Sequence, residues 1–191
     1  DITAFSCEGW SDGVDIMSST DITVKDCFLR TSDDCVAIYG RRWDYNADSR
    51  NITVSSCCLW ADVAHPTVIG THGDYEHDGN VLEDIRFEDL DMVYEDIRIE
   101  PFQRGKLLDI QVKRNPDYNP VPGGGIAHIR FKNITYTGCG EVKSCIRGYD
   151  AEHIVSDVTI ENLSIRGKKA ESLAEAGIET GPFAKEIRLL S

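Results

Sequence analysis

One short phrase recurs six times along this chain, and its spacing constrains the fold more than any other feature. It sets apolar residues at alternate positions: Ile2-Thr3-Ala4-Phe5, Ile22-Thr23-Val24, Ile52-Thr53-Val54, Ile85-Arg86-Phe87, Ile129-Arg130-Phe131 and Val158-Thr159-Ile160. A period of two marks a strand with one buried face. Successive starts lie 20, 30, 33, 44 and 29 residues apart. The shortest interval is about one turn of a β-solenoid, and the longer ones read as the same turn with loops inserted. Most phrases begin after Asn or Asp (Asp1, Asp21, Asn51, Asp84, Asp157), whose side chains bond local backbone and tolerate left-handed geometry. A second strand series follows at Val14-Asp15-Ile16, Val36-Ala37-Ile38, Thr67-Val68-Ile69 and Ile97-Arg98-Ile99. An irregular period with strict local phrasing predicts an all-β parallel β-helix. Asn-Gly and Asp-Gly hairpin signals are too few for a sandwich. The expectation is one β-helix domain over 1–191. It opens in mid-repeat, as the C-terminal portion of a longer chain whose first turns are missing.

Helical periodicity is nearly absent. Only 168–176 (Lys-Lys-Ala-Glu-Ser-Leu-Ala-Glu-Ala) predicts about two turns of surface helix, ended by Gly177. The formal charge of −13 argues against nucleic acid and against an anionic membrane surface as partners, because phosphate needs a basic face. No stretch approaches the roughly 20 apolar residues of a membrane span. Seven cysteines leave at least one outside any internal pair. Cys7, Cys27 and Cys57 each close a strand phrase, which predicts an internal stack of small apolar side chains. Cys139 and Cys145 flank a short glycine-containing loop, a spacing open to a local disulfide. No spacing suggests zinc.

The chemistry concentrates in two similar phrases, Ser11-Asp12-Gly13-Val14 and Ser32-Asp33-Asp34-Cys35-Val36. Asp33 follows Asp12 by 21 residues, about one turn, and stacked turns lie roughly 4.8 Å apart. Asp12, Asp33 and Asp34 then crowd into one patch, where one acid keeps its proton while its neighbours ionise. That is the equipment for cleaving a glycosidic bond, with about 6.5–9.5 Å between acid and base in enzymes that invert. Asp33 and Asp34 are adjacent and would face opposite sides of a regular strand, so both can serve only if the chain bends there. Insertions at 40–50 and 71–81 follow the strands that bear the aspartates and His65, where a solenoid builds cleft walls. Trp43 and Tyr45 in the first insertion are candidates to stack on sugar rings.

Taken in order, these residues resemble the four motifs of polygalacturonase-like glycoside hydrolases of family 28. Ser11-Asp12-Gly13 is similar to Asn-Thr-Asp-Gly, and Ser32-Asp33-Asp34-Cys35 to Gly-Asp-Asp-Cys. His65 with Ile69-Gly70 is similar to Gly-His-Gly, and Arg98-Ile99-Glu100 to Arg-Ile-Lys. The resemblance covers about residues 1–100. It implies a right-handed parallel β-helix of the pectin-lyase-like kind and hydrolysis with inversion. By position it makes Asp33 the general acid, Asp12 and Asp34 the pair that activates water, and His65 the residue that tunes the acid. Arg98 and Glu100 become the contacts to the sugar at the cleavage point. It further implies a polysaccharide or oligosaccharide as substrate, no cofactor and no metal, and a secreted or periplasmic location. It leaves the oligomeric state open.

Two departures matter. Glu100 stands where the family has a lysine suited to a uronate carboxylate, and Pro66 follows His65 in place of glycine. With the Asp-Asp-Cys-Val-Ala-Ile-Tyr wording, these features also resemble the family 49 dextranases and isopullulanases, which act on neutral α-glucans by the same three-aspartate logic. Arg41 and Arg42 supply local positive charge. A non-catalytic glycan-binding β-helix and a polysaccharide lyase are further alternatives; the lyase would need a calcium site or a basic proton acceptor. The oxygen-rich runs 44–48 and 74–79 lack the distal Glu of a calcium loop and read as solvated turns. The sequons at Asn51, Asn133 and Asn162 coincide with strand positions where Asn is expected anyway.

Overall fold

The computed structural model describes residues 2–70, 79–94, 106–114, 116, 121–140 and 142–191. Among them every regular element is a strand. The first nine are β1 (Thr3–Phe5), β2 (Val14–Met17), β3 (Thr20–Lys25), β4 (Phe28–Thr31), β5 (Val36–Tyr39), β6 (Arg41–Arg42), β7 (Tyr45–Asn46), β8 (Ser49–Ser55) and β9 (Cys58–Ala61). The remainder are β10 (Thr67–Ile69), β11 (Val81–Tyr94), β12 (Leu108–Gln111), β13 (Gly125–Tyr136), β14 (Ser144–Arg147), β15 (Val155–Ile165), β16 (Lys168–Lys169), β17 (Ile178–Thr180) and β18 (Ala184–Leu190).

Two parallel ladders carry the fold. One runs through β3, β8, β11, β13, β15 and β18, with β1, β4 and β9 joining it at β11. The other runs β2, β5, β10, β12, β14, β17. The chain passes from one ladder to the other and back in each coil, the path of a right-handed parallel β-helix. The only antiparallel contacts described are the β6–β7 hairpin and the short return of β16 on β15.

The repeated phrase builds the core directly. Ile22, Ile52, Ile85, Ile129, Val158 and Ile187 occupy one register position on successive coils. Phe87 and Phe131, two residues further along the same strands, stack with ring centroids 4.9 Å apart. In the second ladder Ile16, Ile38, Ile69, Ile110 and Ile146 form a matching column. Each such side chain removed from water contributes about 1.5–3 kcal/mol, so a column that repeats on every coil holds the stack together.

The Asn and Asp positions behave as their chemistry requires. Asp21, Asn51, Asp84 and Asp157 share one register position and all have φ between 50° and 62°. His128 and Glu186 complete that column at φ 57° and 56°; histidine, like Asn and Asp, is enriched in the left-handed region, and Glu186 is the exception. Asp1 lies outside the described residues. A second left-handed column comprises Asp26, Ser56, Asp89, Asn133 and Asn162. The amide of Asn133 donates to Asp89 at 2.7 Å, and that of Asn162 to Asn133 at 2.9 Å. The asparagines of all three sequons are thus engaged in these ladders, Asn51 donating to Asp21.

Three expectations are corrected. The first phrase pairs with β4 and not β3, Thr3 opposite Phe28. Cys7 therefore lies outside the stack and is exposed, while Cys27 and Cys57 are buried. No disulfide joins any of the cysteines; Cys145 is fixed in β14 between Asp109 and Glu179 of the adjacent coils. Segment 168–176 forms no two-turn helix but a strand return and then a single turn, closed by Ala176 N–H to Ser172 O at 3.0 Å. Ala170 and Ala176 are buried there, so coil closure onto Ile178 overrides helix propensity. The strand that pairs with Thr67–Ile69 is Leu108–Gln111, and Ile97-Arg98-Ile99 lies outside the described residues. Among the described residues no helix is long and apolar enough to cross a membrane.

Candidate active site

Asp33 and Asp34 sit in the bend between β4 and β5, outside any strand, which is how neighbouring side chains reach one cluster. The bend is pinned by Thr31 Oγ1 donating to Asp33 O at 2.7 Å and by Asp34 N–H donating to Asp33 Oδ1 at 3.0 Å. Ser32 Oγ ties it to Glu8 O on the preceding coil. Register is fixed by Gly13 N–H to Asp34 O at 2.8 Å, Val14 N–H to Cys35 O at 2.9 Å and Cys35 N–H to His65 O at 2.9 Å. Asp12, Asp34 and His65 thus occupy one position on three successive coils. Asp12 stacks on Asp34, an offset of 22 residues, and not on Asp33. Gly13 permits this approach, because a Cβ there would lie 2.4 Å from Cys35 O.

One oxygen from each of Asp12, Asp33 and Asp34 lies within 4.8 Å of the others. Asp12 and Asp34 come this close because they stack one coil apart, and the bend at 33–34 adds Asp33 to the same cluster. The same closeness is what a cation would need, but an acidic cluster alone defines no metal site. Burial, then the charges of Asp34 and Asp12, push the Asp33 carboxyl up from 3.8 to about 6. Burial and Asp34 raise Asp12 as well, against the pull of Arg42. His65 closes the cluster on the next coil. Its Nδ1 lies 2.6 Å from Asp34 Oδ1, which also accepts the His65 backbone N–H at 3.1 Å.

The β6–β7 hairpin forms a wall beside the acids. Arg42 Nη1 reaches Asp15 Oδ2 at 3.1 Å, and its guanidinium lies 5.0 Å from the Trp43 ring centroid. Trp43 and Tyr45 are 66% and 63% exposed, available for contact with a ligand. The structure therefore brings together Asp12, Asp33, Asp34 and His65, with Trp43 nearby through Arg42. Arg98 and Glu100 lie outside the described residues.

Three participants escaped the sequence reading. Asp15, on β2, is a fourth carboxylate, raised to about 6 by burial first and the charge of Asp12 next. Its signal was the period-two alternation, which turns residue 15 away from the core-facing Ile16. Lys106 and Asp109 stand one coil beyond His65, with Asp109 Oδ2 3.9 Å from His65 Nε2. The polar residues alternating in Leu108-Asp109-Ile110-Gln111 would have marked that strand.

No solved structure matches the chain at a significant level. A curated relative, "Probable endopolygalacturonase D" of Emericella nidulans, is 27% identical over 179 residues, covering 82% of this chain. The chain spans about a third (32%) of that relative's length. The profile of Glycosyl hydrolases family 28 matches residues 2–111, more than half of the chain and the whole of the acid cluster. This chain belongs to glycosyl hydrolase family 28.

Proposed function

We propose that this chain carries the catalytic coils of a polygalacturonase-like hydrolase. It would cleave a pectic polysaccharide outside the cell by a single displacement with inversion, all 191 residues forming one β-helical unit. The observation that carries the reading is the convergence of Asp12, Asp33 and Asp34, with Asp33 the acid raised to about 6. Asp33 holds its proton in the range where unperturbed carboxyls have lost theirs, and gives it to the leaving glycosidic oxygen. Oxygens of Asp12 and Asp34 within 4.8 Å can share one water through two hydrogen bonds of about 2.8 Å. As that water attacks the anomeric carbon, the C–O bond to the leaving sugar breaks. The water's proton passes to the Asp12–Asp34 pair, and Asp33 is reprotonated from solvent. His65, bonded to Asp34, keeps that carboxylate oriented as an acceptor.

Family membership and the name of the curated relative support a pectic substrate. The test uses the full-length protein on polygalacturonate, with product anomer read by NMR. Inverted product in the parent, and none from Asp33→Asn with oligosaccharide binding retained, is the expected result. Retained configuration, or normal turnover by Asp33→Asn, would refute these roles.

A further inference from the structure

One coil beyond His65, β12 buries Asp109 to 2% exposure. A carboxylate so enclosed is costly unless charge and hydrogen bonds answer it. Here Lys106 Nζ lies 3.4 Å from Oδ1 and Lys113 Nζ 4.0 Å from Oδ2, and Gln111 Nε2 donates to Oδ1. From the preceding coil His65 presents Nε2 at 3.9 Å from Oδ2, within ion-pair range though beyond a direct hydrogen bond. Burial opposes ionisation of Asp109, but His65, Lys106 and Lys113 outweigh it and hold the carboxyl below its ordinary range. On the following coil the facing group is Cys145, whose thiol is pushed up chiefly by burial.

The imidazole of His65 therefore lies between two carboxylates. Its Nδ1 is engaged by Asp34, whereas Nε2 is fully buried and has no hydrogen-bond partner. A bare lone pair on Nε2 would face the Asp109 carboxylate unfavourably; a proton there would face it favourably.

We propose that Asp109 is a positioning residue, which fixes the His65 ring with a proton on Nε2 and with Nδ1–H turned onto Asp34. The proposal rests on the assignment of His65 to the site made above. In that arrangement Asp34 remains a hydrogen-bond acceptor beside Asp33, and Asp109 acts on the reaction only through the ring.

The test compares full-length parent, Asp109→Asn and Asp109→Glu. One readout is 15N NMR of the His65 ring at a single pH just above neutral, where a free imidazole has lost its second proton; the other is kcat against KM on polygalacturonate. The parent ring is expected to carry protons on both nitrogens. Asp109→Asn should lose the Nε2 proton and lower kcat about tenfold or more, with KM within about twofold, and Asp109→Glu should restore most of both. An unprotonated Nε2 in the parent overturns the proposal without any variant, which covers the case where Asp109→Asn does not fold. Unchanged ring signals in folded Asp109→Asn, or an effect confined to KM, also overturn it. A parent that fails to cleave while its ring spectra respond as expected would refute the hydrolase reading and leave this inference standing.

Discussion

Asp33→Asn separates the chemistry of the site from its effect on the fold. The substitution keeps the side chain's size, and the amide oxygen can still accept the Asp34 N–H that Asp33 Oδ1 accepts now. In the parent, the carboxyl gives up its proton near pH 6 instead of at its ordinary 3.8. At about 1.36 kcal/mol per pH unit, full ionisation of this group costs the folded state about 3 kcal/mol relative to the unfolded chain. Because the folded-state value is raised, the stability it contributes is intact below 3.8 and is lost as pH climbs through about 6. The asparagine variant has no such loss. The two proteins should therefore unfold alike below pH 3.8. Above pH 6 the variant should be the more stable by up to about 3 kcal/mol, or roughly 6–12 °C in Tm for a chain of this size. Thermal and urea unfolding measured across that range give the comparison, and hydrolysis assays on the same samples should show turnover abolished. A variant that tracks the parent at every pH, or falls below it above pH 6, would refute the claim that repulsion and burial raise this acid.

Arg42 offsets part of the rise that burial and neighbouring carboxylates impose on Asp12 and Asp15. Arg42→Ala should therefore move the acidic limb of the kcat/KM profile upward by about one pH unit or less, and an unmoved limb would remove Arg42 from the site's electrostatics. Trp43→Ala should weaken oligosaccharide binding about fivefold by calorimetry, leaving Tm unchanged because the ring is 66% exposed. Ile110 is 1% exposed in the aliphatic column behind the site, so Ile110→Ala should cost about 2–5 kcal/mol in urea unfolding. A cost below about 1 kcal/mol would mean that this coil is not packed as described.

How far the sequence could be read depends on which interactions are local. The two-residue alternation in Ile52-Thr53-Val54 or Ile129-Arg130-Phe131 is a property of one strand, and such phrases among the described residues lie in strands. The left-handed Asp21, Asn51, Asp84 and Asp157 were legible for the same reason, since the bend needs only its own side chain and backbone. Register is not local. The likeness of Ser11-Asp12 to Ser32-Asp33 suggested an offset of 21, yet pairing is set where half-buried Val14 meets buried Val36, an offset of 22. A slip of one residue in a parallel ladder changes which carboxylate stacks on which, and so puts Asp34, not Asp33, above Asp12. The same argument explains why Asp109 was missed. It lies 44 residues after His65, and only the pairing of Thr67 with Leu108 brings the two side chains to adjacent coils. In a solenoid with unequal loops, the distance between functional groups must be counted from the core residue that fixes each coil. Counting from one acid to the next finds the cluster but misassigns its contacts.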